Sequence, residues 1–213
     1  MKNPRSTHTL DVQAALAEIT SIRGQVARST TFRGYGPGSL AATGGLAFLS
    51  AWIQAQRLIE PLRDIPAYLI LWVTTAALAL TFVAIQTAAR ARRMHADLLV
   101  EMLHSAVEPF IPALIAGGLL TVVLLRFARW ELWMLPGLWQ ILFSFGVFSS
   151  CRLLPKPTFV VGVWYLACGL TCLALGHAPR PLAPWEMGVP FGVGHLLLAA
   201  ILHFDYARDV QDV

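Results

Sequence analysis

The sequence predicts an all-α fold: a bundle of six transmembrane helices preceded by an amphipathic cytoplasmic helix. Two compositional observations lead there. Of 213 residues, 56% are hydrophobic and only 13% charged, with a mean hydropathy of +0.61, whereas an ordinary soluble domain carries about 25% charged residues. The apolar residues also gather in runs of about 20, the length that a helix rising 1.5 Å per residue needs to cross roughly 30 Å of hydrocarbon. A third observation, the placement of Lys and Arg between those runs, sets the orientation and is taken up below.

Residues 9–33 read as a helix, with Thr9 as N-cap and Val12, Ala15, Ile19, Ile22 and Val26 at alternating spacings of three and four. That apolar seam is shorter than three heptads. It suits a helix lying on the bilayer or on the protein's own cytoplasmic face, or one that pairs with a partner. The contact residues expected on it are Val12, Ile19, Ile22, Val26 and Arg28. Gly34-Tyr35-Gly36-Pro37-Gly38 then breaks the helix. No short apolar core with a cleavage site precedes it, so span one is expected to serve as the insertion signal.

Span one is expected over 39–56 and span two over 66–88, opened by Pro66 and closed by Arg90, Arg92 and Arg93. Between 90 and 105 the chain is too charged for lipid, yet Met94, Leu98, Leu99, Met102 and Leu103 share a face, as in an amphipathic extension. Spans three to six follow over 107–128, 132–151, 157–176 and 184–204. Residues 1–35 thus form a cytoplasmic segment, 36–206 the transmembrane domain and 207–213 a short tail. Short loops make consecutive spans antiparallel neighbours.

Eleven Lys and Arg fall on the side of the two termini and five (Arg57, Arg63, Arg126, Arg129, Arg180) on the other. Positive residues favour the cytoplasm, so both termini are expected there, in the inner membrane of a bacterial cell. The net charge of +4 is scattered and forms no basic stripe, which argues against direct nucleic-acid binding. Trp130, Trp133 and Trp185 sit where interfacial aromatics belong. Gly44 with Gly45, Gly117 with Gly118, and Gly188 with Gly192 mark places where helices can approach closely.

Polar groups at bilayer depth cost about 2.5–3.5 kcal/mol when charged, so each raises a functional question. His195 falls midway along span six, where it could relay protons, ligate a metal or haem, bind a substrate, or bond a hydroxyl or carbonyl of another helix. One histidine alone makes no metal site. Glu101-x-x-His104 has the spacing of a helical di-iron ligand pair, but such a site needs two copies, so local pairing is the simpler account. Cys151, Cys168 and Cys172 are expected to pack as small apolar residues. Gln54, Gln86 and Gln140 either line a cavity or tie helices together. No phosphate-cradling loop, His-Glu-x-x-His or Gly-x-Ser-x-Gly turn is present, which disfavours an enzyme of a familiar type.

The stretch Ser21-Ile22-Arg23 through Arg28-Ser29-Thr30-Thr31-Phe32-Arg33, running into a Gly- and Ala-rich span, resembles the start of a family of uncharacterised bacterial six-span integral membrane proteins. Gly192-Val193-Gly194-His195, with Phe204-Asp205-Tyr206 beyond, is similar to that family's last span. The resemblance implies six spans, no known activity, and a small winged-helix regulator as a cytoplasmic partner. The expectation is therefore a non-enzymatic, cofactor-free protein in membrane lipid that binds a cytoplasmic partner or a second copy of itself through residues 9–33, or senses the membrane. The alternative is a small transporter or channel whose cavity is lined by Gln86, Gln140 and His195.

Overall fold

A computed structural model describes residues 36–91, 108–151, 154–175 and 181–211. The expected helix over 9–33, with Val12, Ile19, Ile22, Val26 and Arg28, lies outside the described residues, as do Glu101 and His104. Among the described residues all regular structure is helical. The helices are α1 (Pro37–Arg57), α2 (Ile65–Ala91), α3 (Ile111–Phe127), α4 (Leu135–Ser150), α5 (Thr158–Leu175) and α6 (Pro184–Gln211). Short 3-10 turns at Glu108–Phe110 and Arg129–Met134 lead into α3 and α4. These positions follow the expected spans closely, except that α6 continues to Gln211, well into the expected tail.

Proline punctuates the starts. Pro37, Pro66, Pro112, Pro136 and Pro184 each occupy the first or second helical position, where the missing N–H has no intrahelical partner to lose. Asp64 adds a cap to α2 by accepting from the Ala67 N–H at 3.3 Å.

Among the described residues four stretches are long and apolar enough to cross a membrane: Ile65–Ala89, Arg129–Ser150, Thr158–Leu175 and Pro184–Asp205; α3 is apolar but shorter. α1 is not among them, and its packing gives the reason. Its buried face carries Ser39, Thr43, Ser50 and Gln54, while Phe48, Leu49, Trp52 and Ile53 stand exposed. Each inward polar group is bonded: Ser39 to the Gly36 carbonyl at 2.7 Å, Thr43 to the Leu40 carbonyl at 2.8 Å, and Ser50 to the Thr75 hydroxyl at 2.7 Å. Polar inside and apolar outside is the reverse of a helix surrounded by water. Apolar side chains face outward on the other helices too: more large apolar side chains are exposed than buried among the described residues.

Two close pairings organise the bundle. α1 runs antiparallel along α6, its most extensive neighbour, and α4 along α5. Gly44 lies against the Gly192 backbone, where an added Cβ would stand 2.9 Å from a carbonyl oxygen, and Gly188 faces Ala51. At the second pairing, Gly137 and Gly169 are mutually apposed: a Cβ on either would sit 2.8 or 2.7 Å from the other's carbonyl. Of the glycines expected at contacts, Gly45 and Gly118 instead face open space and Gly117 makes ordinary contact with Trp139 and Leu142. α5 and α6 also pack together, and α2 joins mainly through α1. A core of Ile65, Tyr68, Trp72, Leu124, Leu132, Leu135, Leu182 and Met187 gathers the α2, α4 and α6 starts and the α3 end. At that end Trp130 and Trp185 are exposed, alongside the exposed Arg63–Glu60 ion pair.

Candidate functional site

The densest polar arrangement lies at the end where α6 begins, and it starts from a proline. Pro190 stands inside α6 and has no N–H, so the Glu186 carbonyl one turn earlier loses its helical donor. In a membrane such a carbonyl needs a donor from elsewhere in the protein. Gln140 of α4 supplies it: Nε2 donates to the Glu186 carbonyl at 2.6 Å, with the Cys172 Sγ at 3.7 Å from the same nitrogen. This explains why an amide side chain is fully buried on α4.

One turn upstream, Leu182 adopts φ 59°, the left-handed region that costs a residue with a Cβ about 1–2 kcal/mol. Two ties hold it there. Its side chain is fully buried in the core, and its carbonyl accepts from Gln54 Nε2 at 2.7 Å. Gln54 Oε1 in turn accepts from Trp72 Nε1 at 2.8 Å, joining α1, α2 and the chain entering α6. Tyr68, one turn before Trp72, is fully buried, and its hydroxyl has no hydrogen-bond partner among the described residues; the same is true of Gln140 Oε1.

His195 lies elsewhere. Counting nine residues from Glu186 at 1.5 Å each puts it about 13 Å further along α6. Its ring is set among Phe143, Tyr165 and Phe191, with centroids 6.1, 6.4 and 6.3 Å away. Nδ1 is 2.7 Å from the Phe191 carbonyl and 3.1 Å from the Tyr165 hydroxyl. A carbonyl only accepts, so Nδ1 carries the proton and Tyr165 shares it as a second acceptor. Gly194 makes room for this pairing, because a Cβ there would run into the Tyr165 ring.

The structure therefore does not bring Gln86, Gln140 and His195 together. Gln86 is half-buried near the far end of α2, about 20 Å along that helix from Trp72. Gln54 and Gln140 tie helices, and His195 is bonded within an aromatic cluster. The three cysteines are free and half-buried, and Cys151 Sγ donates to the Val147 carbonyl at 3.3 Å. No group of three or more His, Cys, Asp or Glu is placed to hold a metal among the described residues. Sequence reasoning missed Glu186 and Tyr68. The available signal was Pro190, which frees a carbonyl four residues before it.

An apolar groove of about 390 Å³ opens between α1 and α2, lined by Ala42, Thr43, Leu46, Leu78, Thr81, Phe82 and Ile85. It lies at the opposite end from Glu186, beside the start of α1. No family model, no curated protein and no solved structure matches this chain.

Proposed function

We propose that the chain is a six-span integral protein of a bacterial inner membrane, with both termini cytoplasmic, that acts without catalysis as a partner-binding or membrane-sensing module. The observation that carries the membrane assignment is the inverted packing of α1, the one full-length helix whose hydropathy alone falls short. A hydrocarbon surrounding makes its exposed Leu49 and Trp52 inexpensive and its buried Ser50 and Gln54 sensible. The antiparallel α1 and α6 also support termini on one side, the side rich in Lys and Arg.

For the binding role the support is twofold. Ser50, Gln54 and Gln140 inside the bundle each bond to another element, which argues for a fixed scaffold. The seam Val12, Ile19, Ile22 and Val26 with Arg28 supplies an apolar contact surface on the cytoplasmic side. The resemblance to the six-span family adds a cytoplasmic partner, such as a small winged-helix regulator, as the object of that contact.

Two modified chains test this. Reporters fused to the two ends should both read cytoplasmic. Removing residues 1–30 should leave insertion and thermal stability intact while changing the oligomeric state in native-membrane discs or abolishing cross-linking to a cytoplasmic protein. Ends on opposite sides would reject the topology, and an unchanged oligomeric state with unchanged cross-linking would reject the binding role.

A further inference from the structure

Resting on the membrane reading above, we propose that the groove between α1 and α2 binds one acyl chain of an anionic phospholipid, whose phosphate is matched to the arginine charge at the groove's cytoplasmic mouth. Two hydrogen-bonded pairs fasten these helices toward their other end, Trp72 to Gln54 at 2.8 Å and Ser50 to Thr75 at 2.7 Å. Beyond those ties the helices part. The groove of about 390 Å³ runs between Ala42, Thr43 and Leu46 on α1 and Leu78, Phe82 and Ile85 on α2. Thr43 directs its hydroxyl to the Leu40 carbonyl at 2.8 Å, so the wall on α1 offers little to a polar ligand. From Leu78 to Ile85 the wall is about 10 Å long, which suits a chain segment better than a compact solute. A lipid tail lying there touches two helices instead of one, and so gains dispersion contacts on both sides.

Charge at the mouth selects the headgroup. α2 continues past the lining to Ala91 and carries Arg90 five residues, or about 7.5 Å, beyond Ile85. The sequence adds Arg92 and Arg93 directly after it, and Arg33 four residues before Pro37, where α1 starts. No Asp or Glu occurs between Glu18 and Glu60 or between Asp64 and Asp97, so neither helix brings a carboxylate to this end. Asp205 belongs to α6, which α1 meets through Gly44 and Ala51, a different face from the Thr43 and Leu46 that line the groove. A phospholipid carries its phosphate just above its tails, and guanidinium groups pair well with phosphate. Basic sites between helices on the cytoplasmic side recognise anionic headgroups in this way. A zwitterionic lipid brings its own cation and gains less.

Native mass spectrometry tests this on the full chain released from nanodiscs that hold phosphatidylglycerol and phosphatidylcholine of identical tails in equal amounts. The natural chain should retain phosphatidylglycerol in excess. Arg90→Gln combined with Arg92→Gln and Arg93→Gln should reduce that excess about fivefold or more. Ala42→Trp and Ile85→Trp fill the groove from exposed positions, outside the packed core, and each should lower the phosphatidylglycerol retained to a similar degree. Leu119→Trp on α3 is the control, because Leu119 is 63% exposed against 61% for Ile85 but lies outside the groove; it should change nothing. Equal retention of the two lipids, an excess that survives loss of the arginines, or groove tryptophans that act like Leu119→Trp would overturn the inference while the membrane assignment stood. A chain that stayed monodisperse in buffer without detergent would overturn both.

Discussion

Gly169→Leu should prevent the transmembrane bundle from assembling in its native form. The Gly169 Cα faces the Gly137 carbonyl and Ile141, so an added Cβ would stand 2.7 Å from a backbone oxygen and from the Ile141 Cγ1. Side chains can rotate away, but a backbone carbonyl in a helix moves only with its helix. Even Gly169→Ala forces α4 and α5 apart, at a cost on the order of 1–3 kcal/mol, and leucine exceeds that. Thermal unfolding in detergent or nanodiscs measures it. Gly45→Ala and Gly118→Ala are the matched controls, because neither position has a neighbour within 4 Å of the new Cβ. With glycine costing up to about 1 kcal/mol in helix interiors, these two should be neutral or slightly stabilising. If all of these glycines tolerated alanine equally, close helix approach would not explain them.

Gln140→Leu is the second large expected effect, and its interpretation rests on a cycle with Pro190→Ala. Leucine fits the buried space but leaves the Glu186 carbonyl with no donor better than the Cys172 thiol at 3.9 Å. An interhelical hydrogen bond of this kind is worth roughly 0.6–2 kcal/mol in membrane proteins. Replacing Pro190 by alanine returns a backbone N–H to position 190, one turn beyond Glu186, which restores the helical bond. Gln140→Leu should therefore be costly in the natural chain and nearly free in the Pro190→Ala background. Equal costs in both backgrounds, read from melting temperatures, would mean that Gln140 is not there to satisfy the proline-freed carbonyl.

Helix positions were legible in the sequence because an apolar run long enough to cross a membrane leaves little freedom of placement, and prolines at the starts sharpen the boundaries. Gly44, Gly188 and Gly192 were legible as contact points. Gly137 and Gly169 were not, because their apposition depends on the relative register of α4 and α5, which no local pattern encodes. Gln140 stood out as a buried amide, yet its purpose became visible only when Pro190 on another helix was placed beside it. The left-handed Leu182 was hidden for a related reason. A leucine there looks ordinary until Gln54 and the core are seen to hold its carbonyl and side chain. The expected grouping of Gln86, Gln140 and His195 failed to form because polarity within spans says nothing about depth or facing direction, and the three stand at different levels.

The most direct measurement concerns α1, because its hydropathy is the weakest of the six and its inverted packing carries the membrane assignment. A spin label at Leu49→Cys, with the three native cysteines replaced by alanine and the protein in nanodiscs, should collide readily with oxygen and scarcely with a water-soluble nickel chelate. Leu49 is 50% exposed on the face opposite Ser50 and Gln54, which is lipid-facing if α1 spans the bilayer. Ready collision with the nickel chelate instead would place that face in water and contradict the account.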